Sequence, residues 1–277
     1  DLGVQGQGAL MSGEDSAPFG FDVNLDIGDL GRFSGLAGQE LGGALQAEAE
    51  GMGDLTAGRF DVTLDARARN LRAAAIPPQL LDGQTVLSVS AERDADGTLI
   101  LETLDLDGTQ VTLVGAGRLT PGGGTLELDA RLAILGLFTT AVSGPATASV
   151  AVTSGSGEGY GIDGRVTGPG GIAANVTGRV GLSGGRVDLG IRGNAPLSLA
   201  NQFILPQSVT GTLNFDLGLR GQPGLEALSG SVTTSGARLT VPAARLALEN
   251  LGLTAQLNGG RISFDGGATV STGGRVS

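Results

Sequence analysis

Apolar residues fall at every second position along most of this chain. Phe19, Phe21, Val23, Leu25 and Ile27 follow that spacing, as do Phe60, Val62 and Leu64. Leu126, Leu128, Ala130, Leu132 and Ile134 repeat it, and so do Leu213, Phe215, Leu217 and Leu219. Successive side chains of a strand point to opposite faces, so each segment has one aliphatic face and one polar face. Sixteen such blocks lie between 19–28 and 268–276. They are joined by turn sequences such as Asp94-Ala95-Asp96-Gly97, Pro121-Gly122-Gly123-Gly124 and Asn258-Gly259-Gly260. Connections this short join antiparallel neighbours, because a parallel crossover needs a dozen or more residues. The pattern therefore predicts an all-β chain, a long antiparallel meander.

Two stretches break the alternation. Residues 28–50 hold Leu30, Phe33, Leu36, Leu41 and Leu45 among many glycines, a loosely helix-like spacing. Residues 194–206 predict one or two helical turns, with Asn194 as the cap and Pro196 in the first turn. Repetition is visible as well: Ile76-Pro77-Pro78-Gln79 followed by Gly83 returns as Ile204-Leu205-Pro206-Gln207 followed by Gly211. The chain reads as one elongated repetitive body over 1–277, with sub-repeats at 1–123, 124–193 and 194–277. It starts and stops inside strand-like patterns, which predicts a fragment of a longer protein.

Residue types narrow the function. The 277 residues contain no His and no Cys, which removes imidazole and thiolate chemistry in one step. Carboxylates such as Asp61, Asp65, Glu102, Asp105, Asp107, Glu127 and Asp129 alternate with aliphatics, as a solvated face does. Asp105 and Asp107 share a face, but no calcium-loop spacing surrounds them. Gly159-Tyr160-Gly161-Ile162-Asp163-Gly164 matches a dinucleotide fingerprint in letters only, since no helix follows to hold a phosphate. The sequon Asn175-Val176-Thr177 lies inside an alternating strand. A net charge of −11, with all 17 basic residues Arg, excludes a nucleic-acid partner. No metal, cofactor or enzymatic activity is expected.

A one-faced sheet of this length must hide its apolar side. It can do so in a two-sheet sandwich, a closed barrel, or a sheet folded into a gutter. A sandwich core built around aromatics is disfavoured by an aromatic content of only 3%. A membrane barrel would carry aromatic girdles, and one Tyr with no Trp cannot supply them. Ordinary packing in a sandwich and an aliphatic gutter both remain open on these residues alone.

The phrases Gly211-x-Leu213-x-Phe215-x-Leu217-x-Leu219-x-Gly221, Leu225-x-x-Leu228-x-Gly230-x-Val232, Leu246-x-Leu248-x-Asn250-Leu251 and Gly259-Gly260-x-Ile262-x-Phe264 resemble the TamB/AsmA-like family of Gram-negative bacteria. Asp29-Leu30 with Leu36-Ala37-Gly38-Gln39-Glu40-Leu41-Gly42-Gly43 resembles that family's connectors. The likeness covers most of the chain, most clearly 19–150 and 194–276. It implies a U-shaped, taco-like β-groove with an aliphatic interior, similar to bridge-like lipid transfer proteins. It also implies a periplasmic location with an inner-membrane anchor outside this fragment. The implied partners are phospholipid acyl chains and a TamA-like outer-membrane barrel. The implied roles are phospholipid passage to the outer membrane and outer-membrane protein assembly.

On that reading the lining comprises Phe21, Val23, Leu25, Val62, Leu64, Leu128, Leu132, Leu213, Phe215, Leu217, Leu248 and Phe264. Two other readings stand beside it. One is a non-enzymatic scaffold that pairs its strand edges with outer-membrane β-strands. The other is a surface adhesin of β-helix type, which predicts parallel coils of regular length.

Overall fold

In the computed structural model, residues 2–10, 16–74, 78–137, 142–154, 159–181, 185–271 and 273–276 are described. The chain is all-β: among the described residues, eighteen strands hold 69% of the positions. Every recorded strand pair is antiparallel, as the turn chemistry predicts, and no barrel is closed among the described residues. Contacts divide the chain into two units, Asp1–Ala133 with Ala151–Ser156, and Ile134–Val150 with Gly157–Ser277.

Unit 1 contains β1 (Leu2–Leu10), β2 (Pro18–Ile27), β3 (Leu41–Asp54), β4 (Arg59–Ala73), β5 (Gln84–Arg93), β6 (Leu99–Gly108), β7 (Val111–Thr120) and β8 (Gly123–Leu132). Each pairs with the next in sequence. The connections differ between the two ends of these strands. At one end are tight turns, 55–58, 94–98 and 121–122. At the other, longer loops with helical turns at Leu30–Phe33, Ser34–Ala37 and Pro78–Leu81 join β2 to β3 and β4 to β5, while a two-residue turn, 109–110, joins β6 to β7.

The 28–50 stretch is only partly the irregular segment the sequence predicts. Its first half forms the helical turns, opened by Asp29, whose Oδ1 accepts the Gly31 N–H at 2.8 Å. From Leu41 onward it is the fourteen-residue strand β3. Ala and Gly have little strand preference of their own. Here the backbone is claimed from both sides, by β2 and by β4, and that pairing overrides propensity. A bulge at Gly43, φ +100°, faces Asn70, φ +50°. A methyl at Gly43 would stand 2.5 Å from the carbonyl oxygens of Arg69 and Asn70, so only glycine fits there.

β9 (Ala146–Ser154) has residues in both units. Unit 2 continues with β10 (Tyr160–Gly168), β11 (Ile172–Val180), β12 (Val187–Pro196), β13 (Ser208–Thr210), β14 (Thr212–Gly221), β15 (Leu228–Val241), β16 (Leu246–Asn258), β17 (Arg261–Val270) and β18 (Arg275–Val276). β12 pairs with β14, and the short β13 pairs beside it with β15. β15 is one continuous strand that crosses a bulge between Thr234 and Ala237. The sequence pattern breaks there because a bulge shifts the alternation by one residue.

The 194–206 expectation needs a correction. Helical turns do form, at Leu197–Ala200 and Asn201–Ile204, but Asn194 is not their cap. Asn194 and Pro196 lie in β12 opposite Asn214 and Thr212, because the ladder to β14 runs to the strand's last residue. The repeated motif has a structural counterpart. The Asn70 N–H donates to the Gly83 carbonyl at 2.8 Å, and the Leu197 N–H donates to the Gly211 carbonyl at 2.9 Å. Each loop is thus closed by the glycine preceding the next strand, β5 and β14 (Ile76 and Pro77 lie outside the described residues).

Candidate functional site

Residues directly opposite each other in a ladder share a face, so the register determines which side chains form one surface. In unit 1 a row runs through Leu25, Ala47, Ala66, Leu87, Leu106, Leu113 and Ala130, one residue from each of seven strands. The next row holds Val23, Ala49, Leu64, Val89, Leu104, Gly115 and Leu128. Phe21 and Val62 stand in a third row, joined through Gly51, and Leu132 faces Val111 at the end of β8. Phe21, Val23, Leu25, Val62, Leu64, Leu128 and Leu132 therefore all lie on one face.

In unit 2 a row passes through Val166, Ala174, Gly193, Phe215, Val232, Ala255 and Phe264. Leu213 and Leu217 flank Phe215 on the same side of β14. Leu248 reaches that side through its pairing with Val270, across a bulge between Glu249 and Gly252. Phe264 differs from the others in being 67% exposed. Among the described residues, its strand, β17, pairs with β18 at Ala268 and Thr269, away from Phe264.

These faces carry large aliphatic side chains, yet none of the large side chains among the described residues is fully buried. Most stand at intermediate exposure, and the buried apolar set is mainly Ala with Ile27, Leu119 and Val209. Glycine is what lets the bulky side chains lie flat on the sheet. A methyl at Gly51 would stand 2.5 Å from the Phe21 ring, and one at Gly53 would stand 2.7 Å from the Phe19 ring. Leu128 over Gly115 and Phe215 over Gly193 repeat the device at 2.5 and 2.7 Å. Phe19 and Phe21 also stack, with ring centroids 6.4 Å apart. These cross-strand pairs are invisible to a reading of single strands.

The opposite faces differ between the units. Across unit 1 the register sets Asp22 against Glu50, Glu48 against Asp65, and Asp61 against Glu92. Hydroxyls relieve part of this, with Ser88 donating to Asp65 at 2.6 Å and Ser90 to Glu102 at 3.1 Å. In unit 2 the Arg192–Asp216 and Arg220–Asp188 pairs close at 2.9 and 3.1 Å. Unit 1 holds 21 acidic and 8 basic residues, a formal −13, whereas unit 2 holds 7 and 9, or +2.

At the tight-turn end of unit 1 the apolar face widens into a hollow of about 550 Å³. It is bordered by Phe19, Phe21, Phe60, Val62, Arg59 and Arg93, with Asp54 and Leu55 at its rim. Asp54 anchors the turn. Its carboxylate accepts from the Ser16 hydroxyl at 2.7 Å and from the N–H groups of Ala17, Thr56 and Ala57 at 3.2, 2.9 and 3.1 Å. Those bonds, the Ser16 hydroxyl first, hold its pKa down to about 2. Asp96 in the next turn is lowered in the same direction, chiefly by the Thr98 N–H.

Among the described residues, no group of three or more His, Cys, Asp or Glu side chains is placed to hold a metal ion. No helix among them is long and apolar enough to cross a membrane. Tyr160–Gly164 lies within β10, and Asn175–Thr177 lies in β11 opposite Arg192, Ile191 and Gly190. No protein-family model, no curated protein and no solved structure matches this chain.

Proposed function

We propose that the apolar faces of both units line a U-shaped groove that shields phospholipid acyl chains from water. The chain would then be a non-enzymatic, periplasmic segment of a lipid conduit between inner and outer membranes. One observation carries this reading: within each unit, rows of Leu, Val, Phe and Ala, with Gly beneath the largest side chains, pass from strand to strand, and their large members stand at intermediate exposure. An aliphatic surface this continuous is costly to leave in water, at ~25 cal/mol per Å². A uniform lining also suits transport. Each CH₂ contributes ~0.8 kcal/mol wherever it lies, so sliding meets little barrier. Support for outer-membrane protein assembly, an inner-membrane anchor and a TamA-like barrel partner belong to the same proposal and rest on the family resemblance.

The test is lipid extraction from the purified chain, followed by mass spectrometry. Phospholipid is expected to co-purify with the native chain and to be lost from the folded Leu213→Asp/Leu217→Asp double variant. A Ser231→Asp change on the polar face should leave it bound. A native chain free of lipid would sink the proposal.

A second reading is favoured by β17, where Ile262 and Phe264 are 54% and 67% exposed and, among the described residues, the edge beyond them is unpaired. Such an edge is a template for strand addition, the chemistry of a scaffold for outer-membrane β-strands. The β-helix reading lacks comparable support, because its coils stack in parallel and the pairing here is antiparallel.

A further inference from the structure

We infer that the hollow at the tight-turn end of unit 1 seats the anionic head of an acyl-chain ligand, with Arg93 as the group that binds the charge. The inference rests on the acyl-lining reading and adds a polarity to it.

Among the paired rows of unit 1, Arg93 is the one charged side chain on the apolar face. It stands opposite Phe60 on one side and Leu99 on the other. Its guanidinium lies at the end of the strands, where Nη1 donates to the Gly58 carbonyl. That bond uses one of five N–H donors and leaves a planar fork suited to a carboxylate or phosphate. Arg59 borders the same hollow, but it precedes Phe60 in β4 and its side chain belongs to the polar face, so Arg93 is the cation of the apolar side.

The one carboxylate on its rim, Asp54, is already saturated by four donors from its own turn. Asp96, which feels the charge of Arg93, is tied to Thr98. With the nearby carboxylates tied to their own turns, the unused donors of Arg93 at the mouth of an apolar hollow are complementary to an anionic head. The apolar remainder fits a chain: Phe19, Phe21 and Val62 continue from the guanidinium into the aliphatic rows, and about 550 Å³ is within the range of small-molecule sites.

The experiment is displacement of a bound nonpolar dye from the 277-residue chain at pH 7.5 by dodecanoate or dodecanol, both below aggregation. The native chain is expected to prefer the carboxylate by on the order of tenfold, the worth of one charge-assisted hydrogen-bonded contact. Arg93→Gln should abolish the preference while retaining dodecanol binding, and Arg93→Lys should keep part of it. Arg118→Gln, on the polar face, should change nothing. Equal affinity for the two ligands in the native chain, or a preference that survives Arg93→Gln, overturns the anion seat and leaves the lining intact. Displacement by neither ligand overturns both.

Discussion

In β12 and β14 of unit 2, Arg192 faces Asp216 and Asp188 faces Arg220, whereas in unit 1 Glu48 faces Asp65 and Asp22 faces Glu50. The apolar faces behind these rows are built alike, with Phe over Gly in both units. Alternation therefore determines which face is apolar, while the choice of charge on the other face is free to diverge. Opposite charges directly across a ladder contribute a few tenths of a kcal/mol each, and like charges cost a similar amount. Unit 1 accepts that cost repeatedly, and its net charge of −13 favours solubility over local pairing.

The sharpest way to test the shared part of this comparison is to fill a glycine in each unit. Gly193→Val would drive its side chain into backbone, with the Ala174 Cα 2.8 Å from the first new carbon as well as the Phe215 ring. Gly51→Val meets chiefly the Phe21 ring, which can rotate away. Overpacking of this kind costs about 1–3 kcal/mol, and unit 2 should sit at or above the top of that range. Urea unfolding followed by unit-resolved hydrogen exchange would measure both. Equal losses would mean that the rings, and not the backbone, set the limit.

Charge substitutions probe the part that differs. Glu48→Arg converts a like pair into an opposite one and should stabilise unit 1 by ~0.5–1 kcal/mol. Asp216→Arg should destabilise unit 2 by a similar or smaller amount, since its pair is exposed. Raising NaCl from 20 to 300 mM should slow exchange in unit 1 and hardly affect unit 2, because screening relieves repulsion. A salt response of the same sign and size in both units would break the contrast.

The smallest expected effect concerns acid. Asp54 has a folded pKa of about 2 against an ordinary 3.8. Its contribution is therefore complete above pH 4 and drains away as the pH falls through 2. Amide exchange at Thr56 and Ala57 should accelerate over that window, relative to its intrinsic rate. The turn at Gly259–Gly260, which has no carboxylate cap, is the internal control.

The alternating strands were legible because Leu, Val, Ile and Phe declare the buried side of a pleat without help from neighbours. β3 was not, because Ala47 and Ala49 between Glu48 and Glu50 read equally well as helix, and only the flanking strands decide. Its signal was present in Ala47, Ala49, Gly51 and Gly53 falling at every second position. The seat around Arg93 was illegible for a different reason. Phe19, Phe60 and Arg93 are far apart in the chain and meet only through the register of β2 to β5. The capping role expected of Asn194 failed because a side chain good at opening helices is also tolerated at the end of a ladder.

Each strand of unit 1 finds its partner in the next segment of chain. Such a body can gain or lose length two strands at a time. A duplicated hairpin would add roughly 9.6 Å of sheet, at ~4.8 Å per strand, without moving any side chain from one face to the other. A single inserted residue within a strand would invert everything downstream in it unless a bulge absorbed the shift. Change by whole hairpins should thus be tolerated and change by single strand residues resisted, so the span of the apolar face can be adjusted while its chemistry stays constant.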